Sequence, residues 1–339
     1  MCAFVKRSIP KNTKRLVVFL TPGVDKQWGG ILSIAAHYKE TRRLSDIHGA
    51  RVLLAILPGD PWLLKYTWFR NDNYMVPFQA VLRRFTNVDW LMVHVPEYAV
   101  NQVLTALTPE ERVLLGRPKV VHFNVMIQNI DQIEGQHIQA LQCLGKVTCT
   151  TGHEAYCSEA VRHNVGVPLH RLSVCVDLGQ CFQTPYREKE ELLLVSPDPH
   201  PSKEEVLAKI QKAYPDLRIQ IIHSLSNEQY KQLISRAKWS LTFGEGLDGY
   251  FVEVILSGGV GFAVYNERFF TSEYSALESV YPSWDALAQR IVPDLARLDE
   301  PQAYERCWRQ AFNLIATKYG IKMYRDNLSR FYLEDYTFP

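Results

Sequence analysis

The chain has 339 residues, 47% of them apolar and 22% charged, with a formal net charge of +2. Such a length suits two domains rather than one, and the ordinary globular composition excludes a disordered or fibrous chain. The near-neutral balance offers no general case for a nucleic-acid partner, leaving only the local pairs Arg42-Arg43 and Arg83-Arg84.

The opening MCAFVKRSIPKNTKR is basic but lacks the apolar core of a secretory signal, and no run approaches the roughly 18 to 20 apolar residues of a membrane span. A cytoplasmic protein is expected. Arg15 to Leu20 reads as a first buried strand, followed by the loop TPGVDKQWGG and a helix from Ile31 to about Leu44. Strand candidates follow at Arg51 to Leu57, Trp90 to Val95, Lys119 to Phe123 and Lys146 to Thr150, with helical patterns between several of them. Apolar strands alternating with helices imply a doubly wound parallel sheet.

The polar, proline-containing stretch near 180 to 190 reads as a linker, after which the alternation restarts. Leu192 to Val195 and Arg218 to Ile222 look like strands around the helix Lys203 to Ala213. Glu228 to Ala237 reads as a helix before a strand at Trp239 to Phe243. The segment Gly244 to Gly249 is too glycine-rich for regular structure, and Tyr250 to Ser257 is helical in character. Helices at Trp284 to Arg290 and Pro301 to Tyr319 lead to a last amphipathic segment, Ile321 to Leu333. The expected division is 1–184, 185–318 and a terminal helix in 319–339 that returns toward the first domain.

The chemistry concentrates in WSLTFGEGLDGYFVEVILSGGVG, residues 239 to 261. A helix N-terminus presents unpaired N–H groups and the positive end of a dipole, so it suits an anion such as a diphosphate, and glycines let that anion approach. Glu245 and Glu253 beside it cannot bind phosphate and point to hydroxyl recognition. Together they fit a nucleotide sugar, although strand, glycine turn and helix also recur in α/β proteins without such a ligand. Gly29-Gly30, ahead of the first long helix, could present backbone donors or simply form a turn. His94 and His122, at or near the ends of strand candidates, are open to both a site role and a core role. Lys203 could neutralise phosphate or stand exposed at a helix start. GxxxxGK[ST], GxSxG and zincin spacings are absent, and the seven cysteines lack CxxC pairing, so free thiols and no metal are expected.

In order along the chain, these segments resemble GT-B glycosyltransferases, especially retaining glycosyltransferase family 4. Glu245 and Glu253, separated by the seven residues GLDGYFV, reproduce the family's spacing of two glutamates. KRLVVFLTPGVDKQWGGILSIAAHYKETRRL resembles its N-terminal strand, Gly-Gly loop and helix, and KVTCTTGHEAYCSEAVRHNVGVPLHRLSVCVDLGQCF its interdomain entry. The likeness covers most of residues 15 to 265.

The resemblance implies a GT-B fold of two Rossmann-like domains and transfer of a sugar, with retention, from a nucleotide-sugar donor to a saccharide or lipid-linked saccharide hydroxyl. It implies no metal or other cofactor, and the lipid-linked acceptor would bring peripheral membrane association. Glu253 would hold the ribose and Glu245 the donor sugar. Backbone around Gly246, Leu247, Asp248, Gly249 and Tyr250 would receive the diphosphate, with Lys203 assisting and Gly29, Gly30, His94 and His122 contacting donor or acceptor. Two departures stand out: the family's arginine after the first strand of the second domain has no counterpart, leaving Arg236 or Lys238 as substitutes, and Val176-Asp177 lacks the preceding Asn-Gly. A noncatalytic GT-B-like binding or assembly subunit is the alternative, and an epimerase or phosphorylase on the same fold is a further one.

Overall fold

A computed structural model describes residues 13–26, 28–68, 73–173 and 181–339. The chain divides into two compact units, Met1–Cys175 with Tyr324–Pro339, and Val176–Met323. The division at 175/176 precedes the polar stretch expected to be the linker. Val176-Asp177 lies outside the described residues.

The first unit is built on seven parallel strands: β1 (Arg15–Thr21), β2 (Arg51–Ile56), β3 (Met75–Pro77), β4 (Trp90–Pro96), β5 (Val120–Ile127), β6 (Lys146–Thr151) and β7 (Leu169–Arg171). Their order is β3-β2-β1-β4-β5-β6-β7, so the direction of winding reverses between β1 and β4. Leu16 to Thr21 are all buried, as both faces of a parallel sheet must be when helices cover them. Phe19 and Phe123 are each 0% exposed, and burying such rings contributes roughly 2–3 kcal/mol apiece.

The second unit carries β8 (Glu190–Val195), β9 (Arg218–Ile221), β10 (Ala237–Leu241), β11 (Val260–Val264) and β12 (Val280–Tyr281), in the order β12-β11-β10-β8-β9. All four pairings are parallel, and the winding reverses between β8 and β10. Its core joins Leu193, Trp239, Leu241 and Phe262 to Leu287, Ile291, Leu295 and Leu298 of the Trp284–Leu298 helix.

Several elements depart from expectation for identifiable reasons. The Trp284–Leu298 helix runs on past Arg290 through Pro293, because four apolar side chains spaced along it enter the core and outweigh one missing backbone hydrogen bond. Strand β10 starts two residues before Trp239 and ends at Leu241, leaving Thr242 and Phe243 to the loop. The strands β3, β7, β11 and β12 are too short, or too glycine-flanked, to show in periodicity.

The Ile321–Tyr332 helix lays Tyr324, Leu328 and Phe331 into the core of the first unit, where Phe331 joins Val17, Phe19 and Met92. Arg325 Nε bonds Glu40 Oε2 at 2.7 Å, and Leu169 pairs with Phe338 in an antiparallel bridge. Among the described residues no helix is long and apolar enough to cross a membrane.

Candidate functional site

In open α/β sheets, ligands bind beyond the carboxyl ends of the strands where the winding reverses. In the second unit that point lies past β8 and β10, and the glutamate-bearing segment occupies it. Ser196 Oγ, just after β8, accepts the backbone N–H of Phe243, just after β10, at 2.9 Å. The two loops then run so close that a Cβ on Gly244 would stand 2.8 Å from Asp198 Oδ2, so glycine is what permits the approach. Gly246 follows with φ +89°, and a Cβ there would stand 2.5 Å from the Phe270 ring and 2.9 Å from the Val264 carbonyl. Gly244 and Gly246 thereby aim Glu245 outward.

Glu245 is exposed, and partial desolvation together with the nearby Asp198 carboxylate raises its pKa. Glu253 lies one turn into the Gly249–Leu256 helix, its Oε2 3.0 Å from Lys231 Nζ. The ammonium lies off a hydrogen-bonding direction, so the contact is ionic and Oε2 keeps no directional partner. Tyr230, on the same Asn227–Arg236 helix as Lys231, also reaches the Glu253 carboxylate. The helix is fully apolar on its inner side, with Phe251, Val252, Val254, Ile255 and Leu256 buried, which is why Glu253 projects at the rim. Leu247 is buried under the turn, whereas Gly249 and Tyr250 reach the surface.

Asp248 occupies the N-cap position of this helix. Its Oδ1 accepts Phe251 N–H at 3.0 Å, and its Oδ2 accepts from the Thr242 hydroxyl. Burial, reinforced by Asp198 but opposed by those hydrogen bonds, pushes its pKa up to about 7. The helix end expected to be open to an anion is therefore held by a carboxylate of the chain itself.

Lys203 does stand in this neighbourhood, but its Nζ donates to the Ser196 and Asp198 carbonyls at 2.6 and 2.9 Å. Desolvation lowers its pKa while Asp198 pulls the other way. Beside it His200 stacks on Trp284 at 3.8 Å, and Phe243 stacks on the same indole at 5.3 Å, making an aromatic shelf at the edge of the two loops. Arg236 and Lys238 are not substitutes for the missing arginine. They lie at the amino end of β10, engaged by Glu190 and by Glu191 with Asp299, at the opposite end of the strand from the glutamates.

In the first unit the two histidines prove to be core residues. His94 is 0% exposed, with Asn124 Nδ2 donating to its Nδ1 at 3.0 Å and its Nε2 2.9 Å from the Tyr332 hydroxyl. Asn124 also bonds Thr150, and its Oδ1 accepts from Thr148, whose Oγ1 lies 2.9 Å from His122 Nε2. This ladder of polar side chains across β4, β5 and β6 satisfies groups that would otherwise be buried without partners. It leaves neither ring nitrogen of His94 for a ligand, and His122 is 1% exposed.

Gly29 and Gly30 do open a long helix, Gly29–Arg43, which no side chain caps. The Gln128 side chain, just past β5, lies where a Cβ on Gly30 would clash, 2.5 Å away, and space around Gly29 is open. Sequence reasoning passed over two acids at these edges. Glu97 directly follows β4, accepts Asn129 N–H at 2.9 Å, and burial pushes its pKa up to about 7. Asp198 sits in the first loop after β8. An acidic residue within three positions of a strand's carboxyl end was the available signal for both. Among the described residues, no group of three or more His, Cys, Asp or Glu could hold a metal ion, and the five described cysteines are free thiols.

Solved structures match the chain over nearly its whole length. Sucrose-phosphate synthase from Thermosynechococcus elongatus aligns over 95% of this chain and 99% of its own, with a TM-score of 0.61 and 9% identity. Anabaena Alr3699/HepE in complex with UDP and glucose aligns over 94% and 100%, with a TM-score of 0.57 and 10% identity. UDP-GlcNAc 2-epimerase from Neisseria meningitidis, bound to UDP-GlcNAc, aligns over 95% and 98%, with a TM-score of 0.52 and 14% identity. The fold is GT-B. No protein-family model matches the sequence, and no curated protein matches it. At identities this low the likeness establishes the GT-B architecture, two parallel α/β sheets of seven and five strands, and leaves the activity to the residues of the site.

Proposed function

We propose that the chain is a retaining glycosyltransferase that moves a sugar from a nucleotide-sugar donor to a hydroxyl of a saccharide or lipid-linked saccharide. The observation that carries this reading is the placement of Glu245 and Glu253 at the point past β8 and β10 where the second sheet reverses, one in the turn before the Gly249–Leu256 helix and one within it. The half-buried Glu253, at the rim of its helix, suits a vicinal ribose diol, and the exposed Glu245 suits the donor sugar. Backbone N–H groups from Gly246 to Tyr250 would stabilise charge growing on the leaving diphosphate. Lys203 then acts by shaping the loop after β8 and by its charge. His94 takes no part beyond supporting the first sheet.

The decisive experiment screens nucleotide sugars by thermal shift and then follows transfer with the donor that binds. Glu253→Ala should weaken donor binding by about tenfold or more, a loss of about 1.4 kcal/mol. Glu245→Ala should lower turnover more than it lowers binding. Unchanged donor affinity and turnover in both folded variants would refute these roles.

A noncatalytic nucleotide-sugar-binding subunit is the second reading, favoured by one feature: Asp198, Glu245 and Asp248 crowd the helix end while Lys203 is held by carbonyls. Donor binding without product, across a panel of acceptors, would establish it.

A further inference from the structure

We propose that Asp248 serves as an internal substitute for the donor's diphosphate, so that binding the diphosphate requires the Asp248 carboxylate to take up a proton. The inference rests on the donor site proposed above and concerns how that site is regulated.

The geometry comes first. A bound diphosphate and the Asp248 carboxylate want the same partners, the unpaired N–H groups of the first helical turn and a neighbouring hydroxyl donor. Asp248 already holds Phe251 N–H through Oδ1 and the Thr242 hydroxyl through Oδ2. Gly249 and Tyr250, the next two residues, are the surface-reaching part of the same turn, so an anion approaching their N–H groups comes up beside the carboxylate.

The charges facing Asp248 decide the sign. From the loop after β8 comes Asp198, which raises both Glu245 and Asp248. From its own segment come Glu245, Tyr250 and Glu253, and from the Asn227–Arg236 helix come Tyr230 and Lys231, the latter already committed to Glu253. Lys203 is turned to two carbonyls. The two lysines of this set are both engaged, so a diphosphate added to it meets carboxylates, and removing the Asp248 charge is the change that most directly relieves it.

Protonation costs little here. The acid already titrates at about 7 in the folded chain, so near neutral pH it is close to half protonated, and a neutral carboxyl can still bond the Thr242 hydroxyl and accept from Phe251. Ligand binding linked to uptake of one proton gives an affinity that is nearly flat below pH 7 and falls tenfold per unit above it. Acidification would thus favour donor capture, and a neutral cap in place of Asp248 would remove the dependence.

The test uses the full chain and isothermal titration with UDP-glucose, UDP-N-acetylglucosamine, GDP-mannose and ADP-glucose, whose diphosphates do not titrate between pH 6 and 8. Wild type, Asp248→Asn and Asp248→Ser are compared, since Asn and Ser both cap helices without charge. For whichever donor binds, wild type should bind about tenfold more weakly at pH 8 than at pH 6 and, in buffers of different ionisation enthalpy at pH 8, take up about one proton. Both variants should bind about equally at the two pH values and take up none. Wild-type binding without proton uptake overturns the inference while leaving the donor site intact, as do variants that keep the wild-type pH profile. Failure of all three proteins to bind any of these donors at either pH overturns both the inference and the donor site it rests on.

Discussion

Acid should destabilise the first unit selectively, because its core contains histidines that the folded chain holds neutral. His37, His94, His122 and His170 are each 5% exposed or less. Burial lowers His37 to about 3 and His122 and His170 to about 4, and it lowers His94 well below its ordinary value, with the neighbouring histidines adding to the effect. An unfolded chain takes up protons at these side chains near pH 6.5 while the folded chain does not, so stability falls as pH drops. At pH 5 each of His37, His122 and His170 costs about 2 kcal/mol, and at pH 6 somewhat under 1 kcal/mol. His37, His122 and His170 together remove about 5–6 kcal/mol between pH 7 and pH 5, and His94 adds in the same direction.

Glu97 acts in the opposite direction. Its pKa, raised to about 7, means that acid relieves a penalty, returning about 2 kcal/mol over the same interval. These terms leave a net loss of about 3–4 kcal/mol before His94 is added, a large share of the stability of a domain. The second unit has no such set among its described residues, and Asp248 there gains from acid as Glu97 does. Urea melts followed by circular dichroism at pH 7, 6 and 5, with hydrogen exchange read peptide by peptide, measure the effect. The urea midpoint should drop steeply, and amides of β1, β4 and β5 should lose protection before those of β8 and β10. A midpoint that holds or rises at pH 5, or equal loss in both sheets, refutes the reasoning.

Tyr332→Phe should cost about 1–3 kcal/mol, because it strips the partner 2.9 Å from buried His94 Nε2, and its melting curve should move while nucleotide-sugar binding does not. Gly246→Ala should cost about 2–4 kcal/mol, since it combines a positive φ with a Cβ 2.5 Å from Phe270; a variant as stable as wild type in urea would show that the turn relaxes freely. Lys189→Met should destabilise the second unit by about 1–3 kcal/mol in thermal melts, because the buried Nζ satisfies the Ser235 and Ser257 carbonyls at 2.8 and 2.7 Å, at the ends of the helices that carry Lys231 and Glu253. Ser283→Ala should cost about 1 kcal/mol by removing the hydroxyl that accepts Ala286 N–H at the start of the Trp284–Leu298 helix, a loss readable in the urea midpoint of the second unit.

The sequence by itself determined the architecture. Apolar runs such as RLVVFL and ELLLV separated by helical patterns can satisfy their backbone and bury both faces only as parallel strands under helices, and both sheets form that way. It also placed the Glu245 turn and the Glu253 helix, because glycine spacing and a strand that ends in a glycine run are local signals. What only the tertiary structure decided is which polar groups are already taken. His94 meets Tyr332 across 238 positions of sequence, His122 meets Thr148 on the neighbouring strand, and Lys203 turns back on its own loop. Asp248 is the sharpest case: its neighbours in sequence place it at the start of the Gly249–Leu256 helix, but its charge state depends on Asp198, fifty positions earlier, and on burial that no local pattern encodes. Hydrogen bonding and desolvation depend on distance in space, and distance in space is set by packing.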